Sequence, residues 1–274
     1  MNSKIVLMIY RMARFIGLLA LASFAGAVQA NASVFLEELT WTELRDQVRA
    51  GSTTVIVPIG GTEQNGPAMV LGKHNVRAKV LAAKIATGLG HAVVAPVIAY
   101  VPEGAINPPS AHMRFAGTIT IPESVFEATL EYTARSFRQH GFRNIVLLGD
   151  HGGYQKSMQR VADKLNREWV REAARVHAVD EYYRAVDVDY SQALRRQGYS
   201  EAEIGTHAGL ADTSLTMAID PRLVRTDQLL DLKPGVAQGV HGDPARSNAA
   251  AGQQGVELIV SQTIQAIQRR VTRH

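Results

Sequence analysis

The chain has 274 residues, 46% hydrophobic and 20% charged, which suffices for one sizeable core, falls short of two large domains and excludes intrinsic disorder. Its formal charge is +4, but Lys4, Arg11 and Arg14 fall in the first thirty residues with no acidic partner, so residues 31–274 carry only +1 and show no basic cluster with interleaved aromatics that would suggest nucleic-acid binding. There is no cysteine, which excludes disulfides and thiolate ligands and leaves His, Asp, Glu and Asn as the side chains able to hold a cation.

Residues 1–30 read as a secretory signal: a basic start, an apolar stretch from Phe15 to Val28, and small residues at the end, with cleavage expected after Ala30 or Ala32. The apolar stretch is shorter than the about 20 residues a comfortable membrane span needs, so no stable span is expected after cleavage. The absence of cysteine rules out lipoprotein attachment, and the arginines are not paired as a twin-arginine signal requires. The expected location is therefore periplasmic or secreted.

Residues 33–274 read as a single α/β domain. "TWTELRDQVRAG" has the signature of a capped helix that stops at Gly51. "TTVIVPIG" is a buried strand, "NVRAKVLAAKIATGLG" a helix with a glycine stop, and "AVVAPVIA" a second apolar strand. Residues 99–118 form a long loop rich in Pro and Gly, a length that usually accompanies function. "PESVFEATLEYTARSFRQHG" is a helix with Pro in its first turn, "NIVLLG" an apolar strand, "YQKSMQRVADKLNREWVREAA" an amphipathic helix and "RVHAVD" a further strand. "GLADTSLTMAI" and "SNAAAGQQGVELIVSQTIQAIQRRV" are two more helices. Strands that are apolar throughout and alternate with helices predict a three-layer α/β/α fold with a mostly parallel central sheet.

In such a sheet the working residues gather beyond the carboxyl ends of the strands. Two segments leave strands there with polar cargo, "GGTEQNGP" at Gly60–Pro67 and "GDHGGYQ" at Gly149–Gln155. Glu63, His74, His151 and Asp212 lie near element ends, outside any charge run, and are the residue types that a borderline divalent cation such as Zn²⁺ or Mn²⁺ takes. Their spacing forms no compact ligand pair, and each taken singly has a structural explanation, such as a helix cap for Glu63 or a solvated helix position for Asp212.

Five ordered segments carry a family resemblance. "VPIGGTEQNGPAMVLGKHNVRA", "FAGTITI", "NIVLLGDHGGYQ", "THAGLADTSLTMAI" and "GVHGDPARSNAAAGQQG" together resemble the creatininase (creatinine amidohydrolase) family over about residues 38–270. The resemblance implies a creatininase-like fold and a metal site, usually of two cations, that activates water to open a C–N amide bond. It places Glu63 and His151 on the first cation, His74 where the family has a bridging Asp, Asn65 where it has a His, and Asp212 where it has a Glu. His207 falls on a proton-transfer His, Gly153 on the position of a further Glu in creatinine-hydrolysing members, and Tyr154 on an Asn. The substitutions imply a remodelled site, with one divalent ion (two being the alternative) held by Glu63, His74 and His151, and Asp212 as a fourth ligand or supporting partner.

The expected reaction is hydrolysis of a small-molecule amide or lactam. Backbone N–H groups of Gly152 and Gly153 would stabilise the oxyanion, His207 or Asp212 would deliver a proton, His112 would reach the substrate from the long loop, and Asp150 would orient His151. The family resemblance also implies a homo-oligomer, often a hexamer. The alternatives are a metal-free ligand-binding or scaffold protein on the same fold, and a metal-dependent lyase or isomerase.

Overall fold

The computed structural model describes residues 33–272 apart from 230, 231, 233 and 234, so the expected signal segment lies outside the described residues. Four strands form one parallel sheet in the order β2-β1-β3-β4: β1 (Thr54–Ile59), β2 (Ala92–Val94), β3 (Asn144–Gly149) and β4 (Arg175–Ala178). All six residues of β1 are buried, as befits a strand covered on both faces. Six longer helices surround it: α1 (Trp41–Arg49), α2 (Lys73–Leu89), α3 (Glu123–Gln139), α4 (Gln155–Glu168), α5 (Leu210–Ile219) and α6 (Ala249–Val271).

The period of two along the strands divides the core. Ile56, Val94, Val146 and Leu148 face a layer built from α2, α5 and α6, through side chains such as Leu81, Ile85, Leu215 and Ile259. Val55, Val57, Ile145 and Leu147 face α3 and α4, through Phe126, Leu130, Val161 and Leu165. This is the three-layer arrangement the sequence predicts.

Local chemistry sets the boundaries. Thr40 and Glu43 form the reciprocal capping box that starts α1. α2 ends at Gly90 in the left-handed conformation, and α3 begins directly after Pro122. Three expectations need correction. β2 stops at Val94, because Pro96 has no N–H to continue the ladder, and only an isolated bridge from Ile59 to Ile98 extends the pairing. α4 ends at Glu168 rather than running through the following alanines. Residues 181–196, which carried no expected element, are helical, and Ala185–Tyr190 within them is wound as a π-helix.

Candidate metal centre and active site

The register pairs Ile59 with Gly149, so the two polar segments leave adjacent strands side by side. Tyr154 staples them: its hydroxyl oxygen lies 2.9 Å from the Ile59 carbonyl and 2.6 Å from that of Gly60, and it accepts the His151 N–H at 3.1 Å. Tyr154, which stands where the resemblance has an Asn, is thus a buried fastener. Asn65 is a second fastener, its amide donating to the Glu63 and Val70 carbonyls at 2.9 Å each. Its Oδ1 is buried without a hydrogen-bond partner.

Between these loops sits Glu63, fully buried. Its Oε1 lies 2.8 Å from His74 Nε2, and its Oε2 lies 3.2 Å from His112 Nε2 and 3.4 Å from His151 Nε2. Burial alone would raise the Glu63 carboxyl, but the adjacent imidazoles, His74 first, hold it well below the usual carboxylate range. Glu103, which no sequence pattern singles out, reaches the same point from the long loop, its Oε2 3.8 Å from His151 Nε2. Burial, reinforced by the charge of Glu63, pushes Glu103 up to about 9. One ligand atom from each of Glu63, Glu103, His112 and His151 lies within 4.8 Å of the others, the spread that one cation can draw together.

The structure brings Glu63 and His151 together as expected and adds His112, which was expected only to touch substrate. His74 and Asp212 have other duties. Both nitrogens of His74 are engaged, Nε2 by Glu63 and Nδ1 by Asp150 at 2.5 Å, leaving no ring lone pair aimed at a shared cation. Asp212 accepts from Lys73 Nζ, from Arg77 Nη1 at 2.7 Å and from the Ala208 N–H at 2.9 Å. Burial opposes its ionisation, but Lys73 and Arg77 hold it well below the ordinary carboxylate value. Asp212 is the counter-ion of two buried cations, and neither residue belongs to the four-residue group.

Asp150 also departs from expectation. It turns away from its neighbour His151 and accepts from Arg77 Nε at 2.8 Å and from the Tyr182 hydroxyl at 2.7 Å, as well as from His74. Adjacent residues on an extended segment point to opposite sides, which explains the divergence. The Gly153 N–H donates to His151 Nδ1 at 3.1 Å, so it fixes the ring with its proton on Nε2 instead of waiting for an oxyanion, and a cation at Nε2 would require that proton to move to Nδ1 and this bond to break.

His207 stands on the other side of Glu63, its Nδ1 3.7 Å from Oε1. Its Nε2 lies 3.0 Å from the Gln64 carbonyl, which can only accept, so the ring proton sits on Nε2 and Nδ1 carries the lone pair. Burial lowers the ring to about 3, so it is neutral at neutral pH. The segment bearing His207 is held by an antiparallel bridge to His241. A Cβ at Gly205 would lie 2.0 Å from the His241 carbonyl oxygen, and one at Gly242 would lie 2.7 Å from Gly209 Cα, so this crossing of two backbones requires glycine.

A cavity of about 320 Å³ opens beside the cluster. His112, His151, Gly152, His207 and Tyr183 line it, with Asp187 of the π-helical turn on its wall. The sequence signal that could have found Glu103 was its place in a loop already marked as functional by length; nothing in spacing tied it to Glu63.

Comparison with known proteins gives the family and the fold. A family profile described as "Creatininase: Creatinine amidohydrolase" matches residues 37–267. The creatinine amidohydrolase of Pseudomonas putida is 28% identical over 256 residues, covering 86% of this chain and 95% of that protein. The mycofactocin precursor peptide peptidase of Mycolicibacterium smegmatis is 28% identical over 235 residues, covering 78% and 83%. A solved structure described as manganese creatininase superposes with a TM-score of 0.74 at 25% identity, covering 87% of this chain and 99% of that one. The chain belongs to the creatininase family, and it is an amide hydrolase.

Proposed function

We propose that the protein is a divalent-metal-dependent hydrolase that opens the C–N bond of a small amide or lactam. The observation that carries this reading is Glu63: a fully buried carboxylate facing imidazoles from two other, distant parts of the chain at the mouth of a polar cavity. The Oε2 atom of Glu63 has no hydrogen-bond partner, the mark of an oxygen awaiting a cation. Glu63, His112 and His151 would hold the ion, and a Zn²⁺ or Mn²⁺ there supplies an activated water and polarises the substrate carbonyl. The engagement of His74 and Asp212 supports one ion rather than two.

The chain's own groups do the rest. His207, its Nδ1 3.7 Å from Glu63 Oε1, would relay a proton from the attacking water to the leaving nitrogen. The Gln64 backbone carbonyl, accepting from His207 Nε2 at 3.0 Å, keeps that ring in place. Lys73 and Arg77 balance Asp150 and Asp212 beneath the cavity, so the floor stays near neutral and suits an uncharged amide.

The test is elemental analysis of purified protein, followed by a screen of cyclic amides, formamides and short peptides for release of amine. About one equivalent of metal and chelator-sensitive turnover are expected. Protein that binds no divalent ion under metal-replete conditions would end the proposal. The proposal further includes export with removal of residues 1–30, checked by N-terminal sequencing of the cell-fractionated protein, and assembly into a homo-oligomer such as a hexamer, checked by light scattering.

A further inference from the structure

We propose that Glu103 is a ligand of the metal, and that the loop spanning residues 101–121 is a strap closed by the ion it helps to hold. The inference rests on the metal-dependent reading above and extends it to a residue on a different segment from the two polar loops.

Three observations converge. Glu103 is only 2% exposed, yet neither of its carboxylate oxygens has a hydrogen-bond partner. A buried carboxylate without a partner is costly, here it sits against a second one, Glu63, and a cation between the two would satisfy both in the charged form. Second, the loop that leaves β1 is shaped to admit it. A Cβ at Gly61 would lie 2.7 Å from Glu103 Oε1, so a side chain at that position would collide with the carboxylate. Third, His112 belongs to the same strap, in the short 3-10 turn Ala111–Arg114, and its Nε2 faces Glu63 Oε2.

The strap is stitched mainly to its own base. The Glu103 N–H donates to Thr120 Oγ1 at 2.9 Å, and that hydroxyl donates to the Gly104 carbonyl at 3.0 Å. Its far end is tied to the β1 exit, through Ile119 N–H to the Thr62 carbonyl and Gln64 N–H to Thr118 Oγ1. The crown of the strap, including Ile106 and Arg114, is exposed. Glu103 and His112 are the side chains it sends inward to the point where Glu63 from the β1 exit and His151 from the β3 exit meet. One ion at that point joins strap and floor, two ligands from each.

The experiment titrates Zn²⁺ and Mn²⁺ into chelator-stripped protein by calorimetry and, in parallel, follows tryptic cleavage after Arg114 by mass spectrometry. Wild-type protein is expected to bind one ion, and metal is expected to slow cleavage after Arg114 at least tenfold. Glu103→Gln is expected to lose at least tenfold in affinity and most of the protection, while its thermal unfolding in chelator is no lower than that of wild type. Glu103→Asp keeps the charge but withdraws the carboxylate, and is expected to bind more weakly too; it serves as the second variant if the amide does not fold. Undiminished affinity in these variants would overturn the assignment of Glu103 and leave the hydrolase reading intact. Wild-type protein that binds no ion would overturn both.

Discussion

Replacing Asp212 with Asn separates a structural role from a ligand role. Lys73 is 1% exposed and Arg77 4% exposed, and both donate to Asp212. Without that carboxylate Lys73 has no other acid within ion-pair distance among the described residues, whereas Arg77 keeps Asp150 at 2.8 Å. Removing one partner of a buried ion pair costs about 3–5 kcal/mol. Because Arg77 stays paired and asparagine keeps one acceptor, Asp212→Asn is expected to cost about 3 kcal/mol, the lower end of that range. Equilibrium urea unfolding in chelator, at pH 7, reads this without any contribution from metal. The pH dependence comes from the direction of the shift. The folded-state carboxyl lies well below its ordinary value of 3.8, so its stabilisation is present above that pH and lost as pH falls toward the folded value. The difference between wild type and variant should therefore shrink below about pH 4. A cost under about 0.5 kcal/mol at neutral pH would place Asp212 among ordinary surface positions. A variant of unchanged stability that no longer binds metal would refute the reasoning and restore Asp212 as a ligand.

Three other perturbations read different parts of the site. His207→Ala should lower kcat/KM by about 10²–10⁴ with metal content unchanged, as removal of a proton-transfer group does, and loss of metal would instead assign His207 to the ion. Tyr182→Phe strips Asp150 of a hydroxyl donor at 2.7 Å and should cost about 2 kcal/mol in urea unfolding, the range for hydrogen bonds to ionised groups; no change would mean that Arg77 and His74 suffice. Gly252→Ala tests the packing of α6 on α5, since a Cβ there would lie 1.8 Å from the Ser214 carbonyl oxygen; it should cost about 3 kcal/mol or more, and a neutral result would show that the two helices separate easily.

The layers were legible in the sequence because non-alternating strands such as "NIVLLG" can only be covered on both faces, and because caps such as Thr40 with Glu43 and stops such as Gly90 act locally. The meeting of Glu63 with His151 was legible too, since both follow strands whose carboxyl ends lie on the same edge. What stayed hidden depends on side-chain direction and on loop path. Asp150 and His151 are neighbours in sequence, yet one supports His74 and the other faces Glu63. His74 and Asp212 stand where the resemblance implies ligands, but the lysine preceding His74 and Arg77 one turn further along α2 draw Asp212 into ion pairs. Glu103 could not be connected to the cluster by spacing, because only the fold of the strap returns it to the sheet edge. The helical run 181–196 was missed because its apolar residues lack a steady 3.6 period, and its π-helical turn adds a residue to the winding.

The crossing at Gly205, Gly209 and Gly242 limits how this protein can vary. His207 is aimed by two backbones in direct contact, so a methyl group on any of the three glycines would force them apart and shift the imidazole with them. In a saturation library scored once for abundance and once for turnover, alanine at these positions should therefore fail both scores, because a Cβ 2.0–2.7 Å from backbone atoms fits only if the crossing itself moves. Heritable change in specificity would be channelled toward the strap and the π-helical wall, where side chains can be exchanged without moving that imidazole.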